Sequence, residues 1–426
     1  MQKIGDDLME YYNRANSAYI AALKSPSHRY TLRIELLTYG ETAIGEITKD
    51  VLVDVSGQIN INYQQIVRRS CTLNLMNVDS KYTPSINSAF WFQRKFKLWL
   101  GLKTREDIFW FSQGVFLTKS ASGDNKIMTI EGIDKGGLLN GDLKTNMADV
   151  QYIIEVGSNI GQLVKDTLMM NMTSAMNYNQ QACEVNVLDP VLPLVDMKYF
   201  HEYTQNEISV DSGAYLGDLF EALSEGYGAD VYYDRNGRFN FTSMIDSDNP
   251  NGYIYVPHSW EFAEGDAWLN EASYSYGFDG INVVTVYTNS SDSTLENVSY
   301  TAYNNNPLSP LRVRFAGIRR LEPIEISYVS VSRDEMISRC KQYAEYILLK
   351  QSILNMAVEL KCPIMPHIDV NQTIGITNKT YGLDNNTFVI QSITIPLSCE
   401  QMNMNVTNIN WLPIDTNITG VANGYN

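Results

Sequence analysis

Ile66–Leu75 (IVRRSCTLNL), Phe96–Leu102 (FKLWLGL), Ile108–Lys119 (IFWFSQGVFLTK) and Lys126–Ile133 (KIMTIEGI) decide the fold of this 426-residue chain. In these segments Arg, Lys and Ser interleave with Ile, Val, Leu, Phe and Trp at period two, the pattern of a sheet covered on one face. The run closes at 134–141 (DKGGLLNG). Upstream, residues 29–55 alternate in the same way (YTLRIELL, EITKDVLVDV), and turn signals stand at Asp79–Pro84 and Ser122-Gly123-Asp124-Asn125. Six or seven strands between 29 and 135 are enough for a closed or nearly closed barrel. These strands carry almost no catalytic side chains, which points to a structural barrel that must fit partners.

Before this region, residues 6–23 read as an amphipathic helix that Pro26 stops, and 1–28 is assigned to that N-terminal helix. After it the period changes. Val150–Met172 reads as helix, weakened by Gly157 and Gly161, and 183–208 as extended. Tyr215, Leu216, Leu219, Phe220 and Leu223 fall at helical spacing, ended by Gly226 and Gly228. A hairpin follows, turning at Asp234-Arg235-Asn236-Gly237, where Gly takes positive φ without a Cβ clash. Residues 146–255 therefore form a small α/β insert. From 256 strands return: Gly280–Thr288, extended pieces over Leu311–Val331, then four more between 355 and 411. Ser332 and Glu335 have capping-box spacing and open a helix over 333–354. Residues 413–426 read as a flexible tail.

The length suggests about two to four domains, and 44% apolar content supplies real cores. No window approaches a membrane-spanning run, and the acidic N-terminus lacks a signal-peptide h-region, so synthesis in a cytoplasm is expected. Five separated cysteines without a CxxC exclude a zinc ribbon, and Cys71, Cys340 and Cys399 read as buried free thiols. The net charge is -16, unevenly spread: residues 166–311 hold three cations (Lys198, Arg235, Arg238) against 21 acids. Such a surface repels nucleic acid. Solubility is its plain reading; a face along which something slides without sticking is the sharper one.

The chemistry is sparse. Histidines 28, 201, 258 and 367 have no ligand spacing and read as structural or surface groups; no GxSxG or phosphate-loop motif occurs. Trp260, Glu261, Glu264, Asp266 and Trp268 combine acids with aromatics as a glycoside-hydrolase cleft does, but a solvated acidic loop is the plainer reading. No catalytic residue, cofactor or metal site is assigned. The basic run Arg312, Arg314, Arg319 and Arg320, read in a strand–loop–strand context, is the candidate partner-docking site; pairing with Glu322 and Glu325 is its structural alternative.

Taken in order, 66–79 (IVRRSCTLNLMNVD), KFKLWLGL, 110–122 (WFSQGVFLTKSAS), 130–141, 217–241 (GDLFEALSEGYGADVYYDRNGRFNF), 281–287, 305–310, 342–350 and 387–409 resemble the baseplate hub family of long-tailed bacteriophages and related contractile injection devices. They also resemble the N-terminal structural part of tail-associated lysins. The resemblance spans about 29–412 and rests on the order of these stretches. It implies an α+β, mainly β fold: two tube-type antiparallel β-barrel domains, 29–145 and 256–412, with the 146–255 insert between them. It implies a homotrimer whose six barrels match a sixfold tail tube above and a threefold central spike below, around the channel through which DNA leaves. Implied partners are the tail tube or distal tail protein, the spike or a cell-wall-degrading tail protein, and the tape measure protein. DNA would pass without specific binding, with no membrane insertion, in a virion tail assembled in the host cytoplasm. Lysins continue into a long C-terminal region; here the sequence ends at Asn426, so the spike or lysin is expected on a separate polypeptide. The acidic middle of the chain would suit a DNA-repelling lumen. A distal tail ring protein and a carbohydrate-binding or hydrolysing host-recognition protein are the competing readings.

Overall fold

The computed structural model describes residues 17–25, 27–51, 57–63, 65–85, 88–91, 94–104, 107–143, 152–169, 189–204, 207–243, 258–266, 269, 271–288, 297–307, 309, 311–326, 332–352, 355–408 and 418–424. In chain order come α1 (Ser17–Leu23), β1 (Tyr30–Leu37), β2 (Ala43–Glu46), β3 (Gly57–Asn62), β4 (Arg69–Met76), β5 (Lys95–Lys103), β6 (Ile108–Gly123) and β7 (Ile127–Asp134). Then follow β8 (Tyr152–Ile154), α2 (Ile160–Leu168), β9 (Leu194–Val195), β10 (Ile208–Val210), α3 (Leu216–Tyr227), β11 (Ala229–Tyr233) and β12 (Phe239–Ser243). The last part holds β13 (Trp260–Ala263), β14 (Glu271–Gly277), β15 (Val283–Thr288), β16 (Val298–Asn304), the short α4 (Val313–Ala316), β17 (Ile324–Ile326) and α5 (Arg333–Gln351). It finishes with β18 (Asn355–Pro363), β19 (Thr373–Asn378), β20 (Leu383–Pro396), β21 (Gln401–Asn408) and β22 (Ile418–Gly424).

The protein is mainly β. The alternation in 66–133 does what it predicts: β4 buries Arg69, Cys71, Leu73 and Leu75 and leaves the intervening residues more open. Its strands, however, do not stand alone. A 13-stranded sheet runs β14-β18-β21-β20-β3-β4-β7-β6-β5-β1-β2, with β19 and then β13 branching from β20. The long β20 is the seam. Its first half pairs with β19, its second half with β3, and a bulge at Gln391 separates the two pairings. The path is open among the described residues, with β14 and β2 at its ends. One apolar core lies against it, formed by Ile34, Leu73, Leu98 and Phe116 together with Val358, Ile374, Phe388 and Met404. Tyr19 and Leu23 pin α1 into the same core, each such burial contributing ~1.5–3 kcal/mol.

A second core joins the insert to a smaller sheet, β17-β15-β16-β22. Leu216, Leu219, Phe220, Phe239 and Phe241 share it with Val284, Val298 and the buried face of α5. Ser332 caps α5 by accepting from the Glu335 amide at 3.3 Å.

Several expectations are corrected. Within Val150–Met172, Tyr152–Ile154 is strand, because the chain turns at Gly157, whose amide donates to Thr204; among the described residues of this stretch only Ile160–Leu168 is helix, capped by Asn159. The tail at 413–426 contains β22, hydrogen-bonded to β16 from Ile418 opposite Asn304 to Gly424 opposite Val298. Strands 283–326 lie in the smaller sheet with α5, whereas 355–408 lie in the large one, because each follows the core that covers its apolar face. Cys399 is only partly buried, unlike Cys71 and Cys340. Residues 1–16 of the N-terminal helix, Cys183 and Trp268 fall outside the described residues.

Candidate assembly site

Bulges and turns bring the three parts of the chain to one buried joint. The β5–β6 register slips between Leu98 and Trp99 of β5, so Gln113 of β6 is an extra residue with no direct partner in the ladder. A bulge re-aims its side chain: Gln113, fully buried, donates through Nε2 to the Pro366 carbonyl at 3.0 Å. Gly114 follows at φ 152, and a Cβ there would meet the Phe116 ring at 2.6 Å. The tip of the β11–β12 hairpin enters from the other side. Asp234 accepts from the Asn236 and Arg238 amides at 2.8 and 2.9 Å, shaping the turn. Gly237 sits at φ 77, and a Cβ on it would lie 2.7 Å from Val115.

This turn delivers Arg235. Its guanidinium donates to the carbonyls of Pro366, His367 and Ile368 at 3.0, 3.2 and 3.3 Å, and its own carbonyl accepts from Ser112 Oγ at 2.5 Å. Asp369 completes the joint. Arg69 Nη2 donates to its Oδ1 at 2.6 Å, and Arg235 Nε lies 3.6 Å from its Oδ2. Arg69 also donates through Nη1 to Gln113 O at 3.1 Å, and its amide donates to Asp134 Oδ2 at 2.8 Å. The first strand region, the insert and the last strand region thus meet on one carboxylate.

Burial governs the protonation of this joint. It pushes Asp369 up, but Arg69 and Arg235 together outweigh it and hold the carboxyl below its ordinary value. Asp134 has only amide donors in contact, so burial raises it to about 7. Burial drives His367 down to about 3; its Nδ1 is 2.6 Å from Tyr19 OH, which ties α1 to the same loop.

A second ionic cluster lies nearby in the chain. Lys135, fully buried, contacts Asp189 at 2.8 Å and Glu41 at 2.7 Å; Lys95 contacts the same Glu41 oxygen at 2.7 Å. Arg68 pairs with Asp230 at 2.6 Å and lies 3.8 Å from the Tyr232 ring centroid. Part of the acidic excess of 166–311 is therefore internal: Asp189 and Asp230 neutralise cations of the first strand region.

The basic run is rearranged relative to its strand–loop–strand expectation. Arg312 precedes the short α4, with its guanidinium 5.8 Å from the Phe315 ring. Arg319 is structural: Nε donates to Gly280 O at 2.6 Å and Nη2 to Phe278 O. Fully buried Asn282 holds the same loop, donating to Leu311 O and Gly317 O at 2.9 and 2.6 Å. Arg314 and Arg320 are exposed, and among the described residues neither forms an ion pair with Glu322 or Glu325. Instead Glu325 accepts from Tyr287 OH at 3.1 Å. Reading the sequence missed Phe315, Ile318 and Phe278, which are exposed beside these arginines at 66%, 66% and 80%. An apolar residue every third position within a basic run was the available signal.

The acid–aromatic cluster disperses. Trp260 is buried, Glu261 is solvent-exposed 3.9 Å from His258, and Asp266 closes a turn by accepting from the Ala263 amide at 2.7 Å. Among the described residues no group of three or more His, Cys, Asp or Glu side chains could hold a metal ion, and no helix is long and apolar enough to cross a membrane.

The sequence matches no protein-family model and no curated protein. Solved structures do match. A tail protein from Neisseria meningitidis superposes with a TM-score of 0.54 at 9% identity, covering 90% of this chain and 97% of that one. The 43 kDa tail protein of a Shewanella oneidensis prophage gives 0.50 at 11% identity, covering 91% and 100%. A prophage tail protein from Listeria monocytogenes gives 0.48 at 14% identity, covering 90% and 96%. At these identities the likeness is one of fold. It spans nearly the whole of this chain and of the first two structures, so the likeness of fold holds end to end.

Proposed function

We propose that this chain is a structural hub of a phage tail or baseplate. Three copies form a ring that joins the sixfold tail tube to the threefold central spike and surrounds the DNA exit channel. In this reading the strands of 29–145 and of 256–412 act as two tube-type elements per subunit, and the insert braces them. The chain does no chemistry. Its partners are the tail tube or distal tail protein, the spike or a cell-wall-degrading tail protein, and the tape measure protein. It is assembled in the host cytoplasm and resides in the virion tail.

The observation that carries this reading is the end-to-end match to tail-protein structures. The buried joint supports it physically. A ring element under load must keep its parts at fixed angles, and one carboxylate held by two buried guanidinium groups gives an angular restraint that apolar packing alone does not. Solution mass of the purified chain tests the reading. A trimer supports a hub, a hexamer points to a distal ring, and a monomer at all concentrations removes both. Turnover of peptidoglycan or polysaccharide, abolished by Glu261→Gln or Glu264→Gln, would reinstate a hydrolase.

A further inference from the structure

Two exposed surfaces of this chain are complementary. The first is the loop around α4. Phe315 and Ile318 are exposed on it with Arg314 and Arg320 in the same stretch of chain, and exposed Phe278 is tied to it by the Arg319 guanidinium on its carbonyl. The loop is rigid, because Asn282 and Arg319 clamp its backbone from below. Large side chains held out by a clamped backbone lose little further entropy on binding, and aromatic residues with Arg dominate binding energy at interfaces. Glu322 and Glu325 lie just beyond the loop, with Glu325 already engaged by Tyr287.

The second surface is the β8–β10 pair of the insert. Ile153 and Val156 are 50% and 63% exposed there. Glu155 lies between them, and Glu207 precedes Ile208, the partner of Ile154; both carboxylates are exposed. This surface likewise combines exposed apolar side chains with charges, here acidic instead of basic. Lys165 and Lys198, cations of the same unit, are drawn over the rings of Phe200 and Tyr199. Both surfaces are exposed in the single chain, so neither covers the other.

We infer that the α4 loop of one copy docks on the β8–β10 surface of the next copy. The apolar side chains bury against each other, and Arg314 and Arg320 meet Glu155 and Glu207. The contact joins two different patches, so it repeats head to tail, and it closes as a ring when the rotation from copy to copy completes a full turn. This deepens the hub reading and rests on it only for the number of copies. A second copy is the occupant because the charge match lies within this sequence: the patch that offers cations belongs to a chain of net charge -16.

The test is sedimentation equilibrium of the full chain over a concentration series. Arg314→Glu with Arg320→Glu should raise the dissociation constant of the oligomer at least tenfold, and Glu155→Arg with Glu207→Arg should do the same. A mixture of the two charge-reversed proteins should assemble more tightly than either alone. Phe315→Ser with Ile318→Ser should disrupt assembly without changing charge. All substitutions are on the surface, and unchanged thermal unfolding of the variants confirms an intact fold. An oligomer that persists through every variant overturns the docking assignment and leaves the hub reading standing. A wild-type monomer at all concentrations overturns both.

Discussion

Replacing Asp369 by Asn tests the buried joint directly. The carboxylate is nearly enclosed and faces Arg69 at 2.6 Å and Arg235 at 3.6 Å. Arg235 keeps three carbonyl acceptors without it, whereas among the described residues Arg69 keeps only Gln113 O for its guanidinium. The loss should therefore fall mainly on Arg69. Breaking a buried pair costs ~3–5 kcal/mol, and the amide oxygen of Asn still accepts one hydrogen bond, so the expected loss is about 3 kcal/mol. Asp369→Leu, which offers no acceptor, should cost ~1.5–3 kcal/mol more, the worth of one further hydrogen bond from a charged donor. Arg69→Met with Asp369→Leu should recover much of this, because a well-packed apolar pair replaces a buried ion pair at little cost. The assay is urea unfolding followed by Trp fluorescence, read as a double-mutant cycle with a coupling of at least ~2 kcal/mol. Calorimetry adds a qualitative readout: the wild type should unfold in one transition, and Asp369→Asn in two, as the insert and the large sheet uncouple. A loss below about 1 kcal/mol, or strictly additive single substitutions, would refute the account of the joint.

Further outcomes follow from neighbouring groups. His367, held near 3 and thus neutral when folded, binds fewer protons than in the unfolded chain between about pH 3 and 6.5, so it contributes stability that is lost as pH falls below 6.5. His367→Gln should therefore lower the pH of half acid-unfolding, monitored by circular dichroism; an unchanged midpoint contradicts the burial argument. Asp134, raised to about 7, acts oppositely: folded protein binds the extra proton from about pH 4 to 7, so stability falls as pH rises through that window. Asp134→Asn should flatten that decline in urea midpoints measured from pH 5 to 8. Gly237→Val forces a Cβ to 2.7 Å from Val115 at φ 77, and should cost ~2–4 kcal/mol; a neutral result in thermal melts would show that the hairpin tip is not seated. Gly420→Val would place a Cβ 1.8 Å from Tyr300 Oη, so β22 should leave β16, and the amides of 298–304 that face β22 should lose hydrogen-exchange protection while those that face β15 keep it.

Local signals were strong enough to identify most elements from the sequence. The period-two runs at 66–133, the Asn236-Gly237 hairpin and the Ser332 cap all form as their residues predict. Each depends on neighbours a few positions away. What failed depended on distance along the chain. Nothing near Ile393 announces that it will lie opposite Ile61, and nothing in 298–304 announces that 418–424 will pair with it. The site shows the same division. The basic run was visible, but its split into clamping Arg319 and exposed Arg314 and Arg320 depends on Phe278 and Gly280, some forty residues away. Arg69, Arg235 and Asp369 are ordinary members of a strand, a turn and a loop until folding places them together.

The β3–β20 seam has a consequence for biosynthesis. Strands β3 and β4 are made early, yet the edge of β3 has no partner until Ser392–Pro396 has been translated, more than three hundred residues later. Closing so long a loop slows folding, and the waiting edge is a template for wrong pairings. A ribosome that stops early releases a chain with that edge bare and with Arg69 lacking its carboxylate. Truncated products are thus marked for aggregation or proteolysis by the same edge that β20 covers in the complete chain.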